Sequence, residues 1–215
     1  MPVTYDALGP SGWAYTTATT ASATWTHTVG SANLVVVICQ WGTGTSDCVN
    51  DTRTITYDGV AMTSLGWLPS AIDGRWGNEF FYLLNPPSGA KTVVATSTGS
   101  SQTRWVNANS VSFLGAKAPV RSTNTGSSSS ASVSVSSAVG SLVLGMASVW
   151  PVATVSAVNG TSLWIDNVVG VAHIGSCYLS GAATVTPTAT LSSSQPWAMT
   201  AVEIAAAPPQ FFSMF

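Results

Sequence analysis

The sequence predicts an all-β chain, a jelly-roll-like antiparallel β-sandwich built from two pseudo-repeated halves, about residues 20–116 and 131–205. Three observations lead there. Apolar and polar residues alternate with period two, with no sustained helical periodicity. Turn signals recur about every 8 to 12 residues, the spacing of sandwiches and barrels. The second half also echoes the first in order. Ser22 to Trp41, SATWTHTVGSANLVVVICQW, returns as Ser132 to Trp150, SVSVSSAVGSLVLGMASVW. FFYLLNPPSGAKTVVATS (Phe80 to Ser97) is echoed by CYLSGAATVTPTATL (Cys177 to Leu191), and WVNANSVSFLGA (Trp105 to Ala116) by WAMTAVEIAAA (Trp197 to Ala207).

Taken in order, Ser22 to Val29 reads as a strand with Ala23, Trp25, His27 and Val29 on one face. Asn33 to Trp41 carries a continuous β-branched apolar run that suits a strand covered on both sides. Arg53 to Leu65 is a hairpin signal, because Asp58-Gly59 supplies the two positive-φ residues of a type I′ turn. Glu79 to Leu84 and Thr92 to Ser97 pair around Asn-Pro-Pro-Ser-Gly, with Gly89 closing the turn. Val106 to Leu114 completes the first half.

Arg121 to Ser130, RSTNTGSSSS, has the composition of a flexible connector or of a long loop crossing one end of the sandwich. Further strands are expected near Ala131 to Ser137, Ser141 to Val149, Thr154 to Val158, Ser162 to Asp166, Val171 to Ser180, Ala183 to Thr190 and Ala198 to Ala205. Each half alone is small and has little charge to protect its sheet edges. The reading is therefore one domain over residues 1–207 whose halves share a core, with segments of both halves in both sheets; two tandem sandwiches are the alternative.

Composition narrows the function classes. The chain has 215 residues, only 7% of them charged, and a formal net charge of -2. An ordinary soluble domain has about 25% charged residues, so hydroxyls and amides must carry hydration here. The six lysines and arginines are scattered singly, which argues against nucleic-acid binding. No stretch reaches membrane-spanning length, and the start, MPVTYDALGPSGW, lacks the basic and apolar regions of a secretory signal. Cys39, Cys48 and Cys177 show no C-x-x-C spacing and read as buried free thiols, with a Cys39 to Cys48 bridge as the alternative.

Catalytic chemistry finds little support. His27 offers a base among many serines, yet no G-x-S-x-G accompanies it. Asp73 and Glu79 are the one carboxylate pair in an aromatic setting, near Trp67 and Trp76, and they stand in what reads as a loop entering a strand. Asp47, Asn50 and Asp51 offer oxygen ligands without an EF-hand pattern. The expectation is a protein with no catalytic residues, cofactor or metal. Among the nine tryptophans, Trp25, Trp105 and Trp197 read as core. Trp67 and Trp76, taken to lie at strand ends or loops, are the candidate contacts for a glycan or a partner.

The end of the chain is a candidate docking tail, residues 208–215. Pro208 and Pro209 stop the last strand, and Phe211, Phe212, Met214 and Phe215 follow. Four large apolar side chains, each contributing about 1.5–3 kcal/mol when buried, need a destination, which repeated copies in a symmetric assembly would supply.

TYDGVAMTSLG (Thr56 to Gly66), YLLNPPSGAKTVVAT (Tyr82 to Thr96), NSVSFLGA (Asn109 to Ala116) and PWAMTAVEI (Pro196 to Ile204) give the chain a family likeness. From about Val3 to Ala207 it resembles β-sandwich minor tail proteins and related virion structural proteins of tailed bacteriophages infecting actinobacteria. The resemblance implies a non-enzymatic, homo-oligomeric virion protein, assembled in the bacterial cytoplasm among other tail or capsid subunits. A minor tail protein at the tail tip that touches host-surface glycan is the leading expectation. A capsid decoration protein or a glycan-binding module is the alternative. These motifs are hairpins and turns, so the likeness transfers no catalytic residue.

Overall fold

A computed structural model describes residues 1–44, 48–70, 72, 74–100, 103–150, 152–168 and 172–208. The first half contains β1 (Thr4–Leu8), β2 (Gly12–Thr16), β3 (Thr20–Val29), β4 (Leu34–Thr43) and β5 (Thr52–Tyr57). It continues with β6 (Val60–Ala61), β7 (Thr63–Pro69), β8 (Trp76–Leu84), β9 (Gly89–Thr98) and β10 (Arg104–Leu114). The second half contains β11 (Val120–Ser132), β12 (Val135–Ser136), β13 (Leu142–Val149) and β14 (Val155–Val158). It ends with β15 (Thr161–Val168), β16 (Ala172–Ser180), β17 (Thr184–Val185) and β18 (Thr188–Ile204).

All named ladders are antiparallel and the chain is a β-sandwich, as the sequence predicts. The inner sheet of the first half runs β1-β10-β4-β8-β7, with β2 also on β10, and its outer sheet runs β3-β9-β5-β6. The inner sheet of the second half runs β11-β18-β13-β16-β15, with β14 also on β18, and a two-stranded β12-β17 ladder lies outside it. The echo in the sequence is therefore an echo in topology, since β10, β4, β8 and β7 correspond in order to β18, β13, β16 and β15.

Three apolar clusters stack the layers. Trp25, Ile55, Tyr57 and Val93 of the first outer sheet pack on Val35, Val37, Trp41 and Val106 of its inner sheet. The opposite face of that inner sheet, with Leu34, Val36, Ile38, Phe80, Val111 and Phe113, packs on Leu144, Met146, Ile174 and Val202 of the second inner sheet. Beyond it, Val143, Val149 and Met199 meet Val135 and Val185 of the outer ladder. Tyr5 also stacks on Tyr178 across the halves, ring centroids 5.6 Å apart. The central strands β4 and β13 are buried on both faces, which explains their unbroken apolar runs.

Two sequence expectations are corrected here. The halves share a core, but none of these sheets mixes strands of the two halves. Each inner sheet is completed within its own half, and the contact between them is face to face. The segment Arg121 to Ser130 is no connector: it lies within β11, which pairs with β18 along nearly its whole length. Its serines and threonines suit an edge strand whose side chains are largely solvated, and the long β18 needs backbone partners on that side. The strands β1 and β2 lay outside the sequence reading altogether. The Asp58-Gly59 turn is present with φ of 52° and 78°. No helix among the described residues is long and apolar enough to cross a membrane.

Candidate functional site

Where the two inner sheets face each other, the packing changes character along the strands. At one end the contact is the apolar cluster of Leu34, Val36, Phe80 and Phe113. Toward the other end, cross-strand register puts Asn107, Gln40 and Asn78 side by side on β10, β4 and β8. Directly opposed residues of an antiparallel ladder share a face, so these three amides form one row. All three are fully buried. The next pairing outward aligns Trp105, Gly42 and Trp76. Gly42 is required there, because a Cβ on it would lie 2.1 Å from the Trp105 ring. Trp105 stacks on Trp150 of the second half at 6.3 Å, and the Arg75 guanidinium lies 5.2 Å from the Trp150 ring centre.

The amides are unequally satisfied. Asn78 donates to Ser148 Oγ (3.3 Å) and to the Ala198 carbonyl (3.0 Å), and accepts from Thr200 Oγ1. Asn107 donates to Asp166 Oδ2 of β15 at 3.0 Å. Among the described residues, Gln40 Oε1 and Nε2, Asn107 Oδ1, Asn109 Oδ1 and the indole nitrogens of Trp105 and Trp150 are buried without a partner. Both rows continue onto the edge strand β2, where Trp13 pairs with Asn107 and Tyr15 with Trp105. Their side chains reach solvent, with residue exposures of 38% and 51%.

The sequence-predicted contacts fall elsewhere. Trp67 is half-buried on the opposite face of the same sheet, toward the outer sheet, with the Arg53 guanidinium 4.3 Å from its ring centre. Trp76 is the first residue of β8, at a strand end, but it is buried rather than offered to a ligand and packs with Trp105 and Ala198 at 2% exposure. The two rings lie on opposite faces of one sheet, so they do not line a common surface. Phe211, Phe212, Met214 and Phe215 lie outside the described residues, as do Asp47 and Asp73.

The remaining titratable groups are held in the framework. Glu79 accepts from Arg53 at 2.9 Å and from Ser64 Oγ, so it is an ion-pair partner in the interior. Asp51 forms a two-pronged pair with the fully buried Arg104. No cluster of three or more metal-ligating side chains occurs among the described residues. His27 Nδ1 and Ser110 Oγ are 3.0 Å apart, and Trp25 donates to the same oxygen at 2.9 Å. Asp6 bonds Ser112 and the Gly30 amide and makes no bond to the imidazole. Serine and histidine are both fully buried, and burial pushes the His27 pKa down to about 4, opposed by the Asp6 charge. Cys39, Cys48 and Cys177 are free and buried; burial raises all three thiols, Cys48 and Cys177 to about 12. The bridged alternative for Cys39 and Cys48 is thereby set aside.

The amide row escaped the sequence reading although its signal was present. Gln40 interrupts an apolar run, and Asn107 and Asn109 alternate with Val106 and Ala108 on a buried strand.

No family model matches the chain, and no curated protein matches it. Among solved structures it is similar to the extracellular domain of ANXUR2 from Arabidopsis thaliana, at 7% identity and a TM-score of 0.30. That likeness covers 92% of this chain and 86% of the other.

Proposed function

We propose that the chain is a non-enzymatic virion structural protein, a minor tail protein at the tail tip that makes subunit contacts and touches the host surface. The observation that carries the non-enzymatic part is the use of its buried ionisable groups as framework. Arg104 and Asp51, Arg53 and Glu79, and the sealed His27–Ser110 pair are consumed in tying one sheet to the next. A general acid or base must reach the proton that it moves, and these groups are paired and largely buried. The virion part rests on the hairpin and turn motifs of Thr56 to Gly66, Tyr82 to Thr96 and Pro196 to Ile204. Assembly in the bacterial cytoplasm with other virion proteins, in repeated copies, follows from the same reading.

Immunogold microscopy of purified particles tests it. Gold at the tail tip is expected. Gold over the head would make the chain a capsid decoration protein, and no label on intact or opened particles would overturn the virion reading. Removing residues 210–215 is expected to leave a folded protein that is no longer incorporated into particles. Unchanged incorporation would overturn the role of Phe211, Phe212, Met214 and Phe215 in docking. A second reading, a glycan-binding module, is favoured by one specific observation, the row of buried amides bordered by indoles.

A further inference from the structure

The six unpartnered polar atoms between the two inner sheets belong to Gln40, Asn107, Asn109, Trp105 and Trp150. An unsatisfied buried polar atom costs a sizeable share of the small net stability of a folded domain. Six such atoms in neighbouring rows therefore mark a place where hydrogen-bonding partners from outside the chain would be strongly favoured. Their chemistry restricts those partners. Three are acceptors (Gln40 Oε1, Asn107 Oδ1, Asn109 Oδ1) and three are donors (Gln40 Nε2 and the two indole nitrogens), and none carries a charge. An anionic ligand would meet three carbonyl oxygens and the Asp166 carboxylate, with the nearby Arg75 already over Trp150. A hydroxyl donates and accepts at one atom, so it matches this mixed set.

We propose that the rows bind a neutral saccharide. Trp13 and Tyr15 take a sugar face at the edge strand, while Asn107, Asn109 and Gln40 engage its hydroxyls farther in. Aromatic walls with a few converging polar groups are the ordinary make-up of a small-ligand site. Entry runs along β2, where both rows reach solvent, and exchanges the Asn107–Asp166 hydrogen bond for one to a sugar hydroxyl. The site is distinct from Trp67, which faces the other way, and it stands whether or not the chain is part of a virion.

The test uses the full chain with free hexoses, pentoses, N-acetylhexosamines and their disaccharides at millimolar concentration, read by saturation-transfer NMR and calorimetry. Saturable binding of at least one sugar is expected. Affinity should fall at least about tenfold in Trp13→Ala and in Asn107→Ala and stay within about twofold in Trp67→Ala. Trp13 is partly exposed, so its variant keeps the fold and remains informative if Asn107→Ala does not. No saturable binding across the panel would overturn the site and assign the six atoms to structural water. Binding that survives Trp13→Ala and Asn107→Ala but is lost in Trp67→Ala would overturn it as well. The virion reading fails separately, through particle labelling.

Discussion

The two halves share one inner-sheet order and differ in what covers it. In the first half a four-stranded outer sheet lays Trp25, Ile55, Tyr57 and Val93 over the inner sheet. Two buried ion pairs then tie the layers: Arg104 of β10 holds Asp51, and Glu79 of β8 holds Arg53 of β5. In the second half the outer ladder pairs only Val135 with Val185 and Ser136 with Thr184. Its core is completed by small residues, Ala131, Ala153 and Ala189, and by Leu191 and Trp197 of the long β18. Ion pairs between described residues lie in the first half. Apolar burial is non-directional, so either cover satisfies an inner sheet. Ion pairs add a directional lock, and the first half has two buried ones among the described residues.

The largest expected effect comes from breaking that lock. Asp51→Ala removes the carboxylate that both guanidinium nitrogens of the buried Arg104 hold, a loss of about 3–5 kcal/mol. Urea denaturation followed by the buried tryptophans is expected to show the first half unfolding earlier than the second. A single unshifted transition would mean that the cover, and not the pair, holds the layers.

Acid is the next lever. His27 is neutral when folded, with its pKa lowered from 6.5 to about 4. Between those values the unfolded chain binds the extra proton, so stability is fully present above about pH 6.5 and falls as the pH drops toward 4. The loss is about 3 kcal/mol. Denaturation midpoints at pH 7 and 4.5 should differ less in His27→Gln than in the parent chain. An unchanged difference would place the acid sensitivity in other groups.

The smallest effect compares the two covers directly. Val93→Ala in the first outer sheet and Val135→Ala in the second each remove two methyl groups, at roughly 1–2 kcal/mol. The thin β12-β17 ladder can relax into the cavity, whereas Val93 is held between β3 and β5. Thermal unfolding is expected to show the larger shift for Val93→Ala, and equal shifts would show that both covers are equally rigid.

Much of this was legible in the chain. Period-two alternation marked β3, and Asp58-Gly59 marked the β5-β6 hairpin, because both signals are local. The internal echo anticipated two matching strand orders, since the same residue pattern makes the same strand wherever it occurs. What lay beyond reach was which sheet each strand joins. Arg121 to Ser130 has a connector's composition and becomes a strand only because β18 offers it a partner. Trp67 and Trp76 are close in sequence and lie on opposite faces of one sheet, which register alone decides. The site depended on tertiary structure for the same reason. Gln40, Asn78 and Asn107 are far apart in the chain, and only pairing across β10, β4 and β8 turns three separate amides into one row. The sequence by itself determined strand content, turn chemistry and the repeated order, all set by neighbours along the chain. The face-to-face contact of the halves and the polar row within it were decided by long-range pairing, which no local pattern encodes.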